Sequence, residues 1–126
     1  MKVFTSYYGN VTNLLKNGCV PVGISCFKPG WFNWYNLTYV APSADLLRRY
    51  KNGTTDKDGY IHEFKQMLLN RDAKRFVFNL QKIVEQYGEG YKDVAIICYE
   101  KPGQFCHRHL VAEWLEEQCG IRVDEF

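Results

Sequence analysis

Cys98, Glu100, Cys106, His107, Arg108 and His109 crowd into twelve positions of the stretch CYEKPGQFCHRHLVAEWL, residues 98–115. Such a set is open to metal ligation, thiol chemistry, acid–base catalysis or anion binding. The spacing argues against structural zinc, because it holds neither a CxxC nor an HxxxH pair. His107 and His109 are two apart on a helix and diverge by roughly 200°. Cys98 sits in an apolar run, where a thiol acts as a small hydrophobe. No metal and no cofactor is therefore expected. A disulfide between Cys106 and Cys119 is ruled out, since one helix holds them about 20 Å apart. Pairs Cys98–Cys106 and Cys19–Cys26 stay open on sequence alone.

The start of a helix at Cys106 gives the stretch a different use. Unpaired backbone N–H groups and the helix dipole favour negative charge there. Arg108 adds a permanent planar cation two residues on. Both would lower the Cys106 thiol pKa, and both would equally hold a phosphate or carboxylate. Anion binding explains more residues with fewer assumptions. Glu100 ends an apolar strand, where a carboxylate must be solvated, paired or used. It is an acid–base candidate, weighed equally against a salt bridge to Arg108 or Lys101. Cys106 is either a nucleophile or only a helix-start residue. His107 shares a face with Leu110 and Val111, which favours a hydrogen-bonded structural histidine over a ligand contact. His109 aligns with Glu113 and Glu116 on the polar face.

These residues need elements to hold them. Lys2–Ser6 reads as a first strand, and Asn10 as the cap of a short helix stopped by Gly18. Val20–Ser25 reads as a second strand, and Leu37–Val40 as a short one. Ser43–Asn52 is helical, Asn52–Gly59 (NGTTDKDG) an exposed turn, and Tyr60–Leu69 a helix with Ile61, Phe64 and Leu68 on one face. Ala73–Tyr87 is the clearest helix, capped by Asp72 and closed by Gly88. Val94–Tyr99 is apolar throughout, as in a strand covered on both faces. Cys106–Gln118 is helical, and Ile121–Phe126 alternates as a last strand.

Strands and helices alternate, which predicts one α/β domain over residues 1–126: three layers, a mostly parallel sheet and helices on both faces, in a Rossmann-like manner. Ligands of such sheets bind beyond the carboxyl ends of the strands, where strand order reverses. With the first strand beside Val94–Tyr99, three loops meet there, carrying Ser6 and Tyr7, Ser25 to Trp31, and Glu100 to Arg108.

Composition narrows the classes. Apolar residues make up 46% and charged residues 24% of 126, a globular balance. A net charge of +2 with no basic run places general nucleic-acid binding last. The N-terminus MKVFTSYYGN lacks an apolar signal region, and no run reaches the length of a membrane span. Five cysteines without framework spacing fit a reduced, cytoplasmic protein with no membrane partner.

Aromatic residues reach 16%, and Trp31, Phe32, Trp34 and Tyr35 fall within five positions. One reading buries some on the sheet and gives others to a homodimer contact. The other is a lid that stacks a flat ligand such as a base. A mixed role is expected, with Trp31 and Trp34 near the ligand and Phe32 and Tyr35 in packing.

The motif Cys98-x-Glu100, then Cys106-His107-Arg108 opening a helix, resembles the signature of the family catalogued as domain of unknown function 488. The segments TSYYGN, PVGISCFKPGWF and YVAPSADLLRRYKNG resemble a shorter branch of that family found in bacteria and phages. The resemblance implies an α/β fold with a parallel sheet and a pocket, and it implies no reaction. Many relatives carry Asp-x-Arg after the second strand, where this chain has Gly23-Ile24-Ser25.

Together these readings predict an enzyme, of hydrolase or transferase type, acting on a phosphate-bearing, nucleotide-like small molecule. Glu100 is the acid–base group and Cys106 the second catalytic candidate. Arg108 and the helix start hold the phosphate, while Ser6, Tyr7, Ser25, Trp31, Trp34 and His107 contact the ligand. The alternatives are a module that sequesters such a ligand unchanged, and a thiol or metal protein using Cys98 and Cys106.

Overall fold

The computed structural model describes residues 1–101 and 103–126, so Pro102 of the motif loop lies outside the described residues. Five strands form one sheet: β1 (Val3–Tyr7), β2 (Cys19–Gly23), β3 (Tyr35–Asn36), β4 (Asp93–Cys98) and β5 (Val123–Glu125). The order is β3-β2-β4-β1-β5 and every pairing is parallel, which gives the expected α/β fold. That order differs from the 3-2-1-4-5 start of a Rossmann sheet, because β4 lies between β2 and β1. All residues of β2 are buried, as are Val94 to Cys98 of β4, which is why β4 reads as an unbroken apolar run.

Period-two alternation splits the core into two unequal halves. Val20, Val22, Ile24, Val94 and Ile96 face a large layer built by α2 (Ala44–Lys51), α3 (Lys57–Leu69), α4 (Ala73–Tyr87) and α5 (His107–Cys119). Cys19, Ala95 and Ile97 face the other way, onto α1 (Val11–Lys16) and Phe32. Burial beside Asp93 pushes the Cys19 thiol up to about 12, so it packs as a neutral thiol.

Polar side chains start three of the helices. Ser43 Oγ accepts from the Leu46 N–H, Asp56 Oδ1 from Gly59, and Asp72 Oδ1 from Arg75. Each bond satisfies a first-turn donor that the helix leaves free. Asp56 lets α3 begin at Lys57, which shortens the turn expected over Asn52–Gly59. Asn10 makes no capping bond; its amide donates to Ser6 Oγ at 3.1 Å instead.

The short strand expected over Leu37–Val40 is displaced. β2 ends at Gly23, so only Tyr35 and Asn36 find partners, opposite Val22 and Gly23. Leu37 N–H adds a last bond to Gly23 O at 2.7 Å, and Thr38–Val40 turns as a 3-10 helix. Among the described residues, no helix is long and apolar enough to cross a membrane.

Candidate functional site

The strand order decides where a cleft can open. The chain leaves β2 toward β3 on one side and leaves β4 toward β5 on the other. Connections therefore diverge between β2 and β4, which makes that pair the switch point. A cavity of about 480 Å³ opens there, with Ser25, Cys26 and Phe27 following β2 and Cys98, Tyr99 and Glu100 closing β4. Phe105, Cys106 and His107 add the start of α5; Leu47, Tyr50, Lys51 and Tyr60 add α2 and α3. Tyr99 clamps the rim by donating its hydroxyl to Phe27 O at 2.7 Å.

Cys98 follows Val94 and Ile96 onto the α5 face by the alternation of β4. Cys106 is the N-cap of α5, in extended backbone and without a side-chain capping bond. The two Sγ atoms meet as a disulfide, with Cα atoms 7.2 Å apart. His107 is buried beside them. Its Nε2 bonds Ile24 O at 2.6 Å, and its Nδ1 lies 3.8 Å from Cys106 Sγ. A carbonyl accepts only, so Nε2 carries the proton and Nδ1 presents a lone pair to the sulfur. Burial pushes the His107 pKa down to about 4, with the Arg108 charge acting in the same direction against the Ile24 bond. The ring is thus neutral at ordinary pH.

Arg108 has no exposed surface and takes no place in the cavity wall. Its guanidinium holds Glu125 through two bonds, Nε to Oε1 at 3.2 Å and NH2 to Oε2 at 3.1 Å. NH1 donates to Cys98 Sγ at 3.3 Å and to Glu100 O. This differs from the expected anion receiver: the cation is committed behind the cysteines. The salt bridge weighed for Glu100 is made by Glu125 instead, while the Glu100 backbone is what Arg108 fixes. Glu100 itself lines the cavity, and its charge reaches Tyr60, whose pKa is raised mainly by burial and then by that carboxylate.

Of the residues expected near a ligand, Ser25, Glu100, Cys106 and His107 line the cavity. Ser6, Tyr7, Trp31 and Trp34 do not. β1 lies on the far side of β4 from the switch point, which carries Ser6 and Tyr7 away from it. Ser6 is buried under Asn10. Trp31 is 56% exposed and edges onto Tyr8, and Trp34 donates its indole N–H to Tyr87 Oη at 2.9 Å. Phe32 is fully buried in the packing role expected of it. Ser25 is reached through Tyr8, whose hydroxyl donates to its Oγ at 2.9 Å.

The sequence reading missed the aromatic wall. Tyr50, Tyr60 and Phe105 pack with centroids 4.9 to 6.2 Å apart, and Lys57 Nζ lies 4.9 Å from the Phe105 ring centre. These residues come from α2, α3 and the motif loop, so no local spacing marks them. Lys51 was also missed; at the end of α2 it brings a cation to the cavity wall.

A family model described as the active DUF488-N3 subclade, DUF488-N3a, matches residues 6–119. No curated protein and no solved structure matches the chain.

Proposed function

The chain belongs to the DUF488-N3 subclade, and from that premise we propose that it is an enzyme acting on a nucleotide or nucleotide-derived small molecule. The observation that carries the reading is a carboxylate, Glu100, which lines an aromatic-walled cavity at the switch point of a parallel sheet and makes no side-chain bond among the described residues. Such a cavity suits a flat ring laid against the aromatic wall of Tyr50 and Phe105, since every base offers a face for stacking. Lys51 and the start of α5 accept the ligand's anionic group. Glu100 moves a proton to or from the reacting atom. Arg108 is a positioning residue, since its bonds to Glu100 O and Cys98 Sγ hold the end of β4 against α5. The description of the matched subclade as active favours turnover over passive binding.

The test is mass spectrometry of a mixed nucleotide and sugar-phosphate pool before and after incubation with the protein. A new product mass is expected, with the substrate consumed. Glu100→Gln is expected to lower turnover by about 10²–10⁴ while ligand still binds. An unmodified compound enriched on the protein would replace the enzyme reading with sequestration. Wild-type turnover in Glu100→Gln would remove the carboxylate from the mechanism.

A further inference from the structure

The cysteine pair and His107 form a cluster that acid–base work by Glu100 leaves unused. Cys98 Sγ, Cys106 Sγ and His107 Nδ1 all lie within 4.8 Å of one another, and all three residues line the cavity. A tetrahedral zinc ion with bonds of about 2.0–2.3 Å sets its nitrogen and sulfur ligands about 3.5–3.8 Å apart. The Nδ1 to Cys106 Sγ distance is 3.8 Å. The 7.2 Å between the Cys98 and Cys106 Cα atoms lies beyond the roughly 4.4–6.8 Å span of most disulfides. We propose that the reduced pair forms, with His107 Nδ1, a three-ligand zinc site whose fourth position opens into the cavity beside Glu100.

Three surroundings favour this site. Metal-bound histidines almost always donate their other ring N–H to a carboxylate or carbonyl, and Ile24 O accepts that bond here. The Arg108 NH1 group donates to Cys98 Sγ, which orients that sulfur and stabilises it as a thiolate. Charge also closes in this buried place. Two thiolates balance one divalent ion, and Glu125 balances Arg108. Two cysteines, one histidine and an open position form a ligand set of catalytic rather than structural zinc. The ion's place is to polarise a water or substrate oxygen next to Glu100.

The disulfide and the metal site exclude one another. A dithiol reductant breaks the Cys98–Cys106 bond, giving two thiols and its own disulfide. Zinc then displaces the two thiol protons. The site therefore loads only in the reduced protein.

Reduction of the full-length protein under argon, removal of the reductant and titration with cobalt(II) tests this directly. One equivalent of cobalt with thiolate-to-metal absorption is expected, displaced by zinc. Cys98→Ser, Cys106→Ser and His107→Gln should each weaken binding by more than the about 10–100-fold that loss of an outer partner costs. Cys119→Ser should bind as the wild type does. The oxidised wild type, with unchanged circular dichroism, should bind no cobalt, which reads the site without any substitution. Absence of stoichiometric cobalt after reduction would overturn the proposal, as would binding that survives both serine substitutions. No nucleotide enters this titration, so its failure leaves the substrate reading standing, and failure of turnover leaves the metal reading standing.

Discussion

Two aromatic regions of this protein behave in opposite ways. Phe32 and Trp34 come from one short stretch and close against Tyr8 and α1 on one face of the sheet. Tyr50, Tyr60 and Phe105 come from three separate segments and stand around an open cavity on the other face. The dense stretch in the sequence thus divides: Phe32 and Trp34 pack, while Trp31 and Tyr35 stay exposed, and the scattered set lines the cavity. Neighbouring aromatics on one loop point different ways, so only part of such a run reaches the small core. A cavity wall needs side chains that converge from different directions, so its members are distant in sequence.

The contrast breaks most visibly at Phe32. Phe32→Ala is expected to destabilise the fold by about 3–5 kcal/mol, because the ring is fully buried. Ligand affinity of the folded fraction should stay unchanged. Chemical unfolding, with ligand titration at low temperature, checks both; a large loss of affinity would merge the two regions into one.

His107 ties the open region to stability through pH. Its folded pKa is about 4 against an ordinary 6.5. Between these values the unfolded chain binds the extra proton. Stability is therefore full above about pH 6.5 and falls as pH drops toward about 4, by on the order of 3 kcal/mol. Urea unfolding of metal-free protein across this window should show the slope, and His107→Gln should flatten it. An equal slope in the variant would assign the effect to other groups.

Phe105→Ala sharpens the contrast from the open side. Losing one stacking face should weaken binding of a nucleotide-like ligand by about 1–3 kcal/mol. Stability should change less than for Phe32→Ala, since Phe105 is only half-buried. Calorimetric titration beside thermal unfolding separates the two quantities. The smallest effect belongs to Trp34→Phe, which keeps an aromatic side chain, though a smaller one, and removes the N–H donated to Tyr87. A loss of about 1 kcal/mol in stability is expected, with ligand affinity unchanged.

The elements were legible wherever a local rule governed them. Ala73–Tyr87 followed from its apolar spacing and the Asp72 cap, and the buried run of β4 from its lack of polar residues. Glu100, Cys106 and His107 were legible as one cluster because a strand end and a helix start are adjacent in the chain. What failed depended on strand order. The gathering of Ser6 and Tyr7 at the cleft was expected if β1 lies beside β4, and it does; but the cleft opens on the other side of β4, toward β2, so both residues stand one strand away. The partner of Arg108 was equally hidden, since Glu125 reaches it only through the parallel pairing of β5 with β1. Lys51 and Tyr60 enter the cavity by helix packing, for which the sequence carries no nearby mark.

The sheet tapers at both sides. Its outer strands, β3 and β5, have two and three residues, while the three between them have five or six. Exposed edges are where one chain can add a strand to another and seed aggregates. Here the unpaired backbone at each rim is too short to template that growth, and Arg122 and Asp124 place opposite charges along one of them. The hydrophobic strand β4, the segment most prone to stack with copies of itself, lies in the middle of the sheet, shielded on both sides. The same order of strands that opens the cavity thus keeps the apolar strand away from both edges of the sheet.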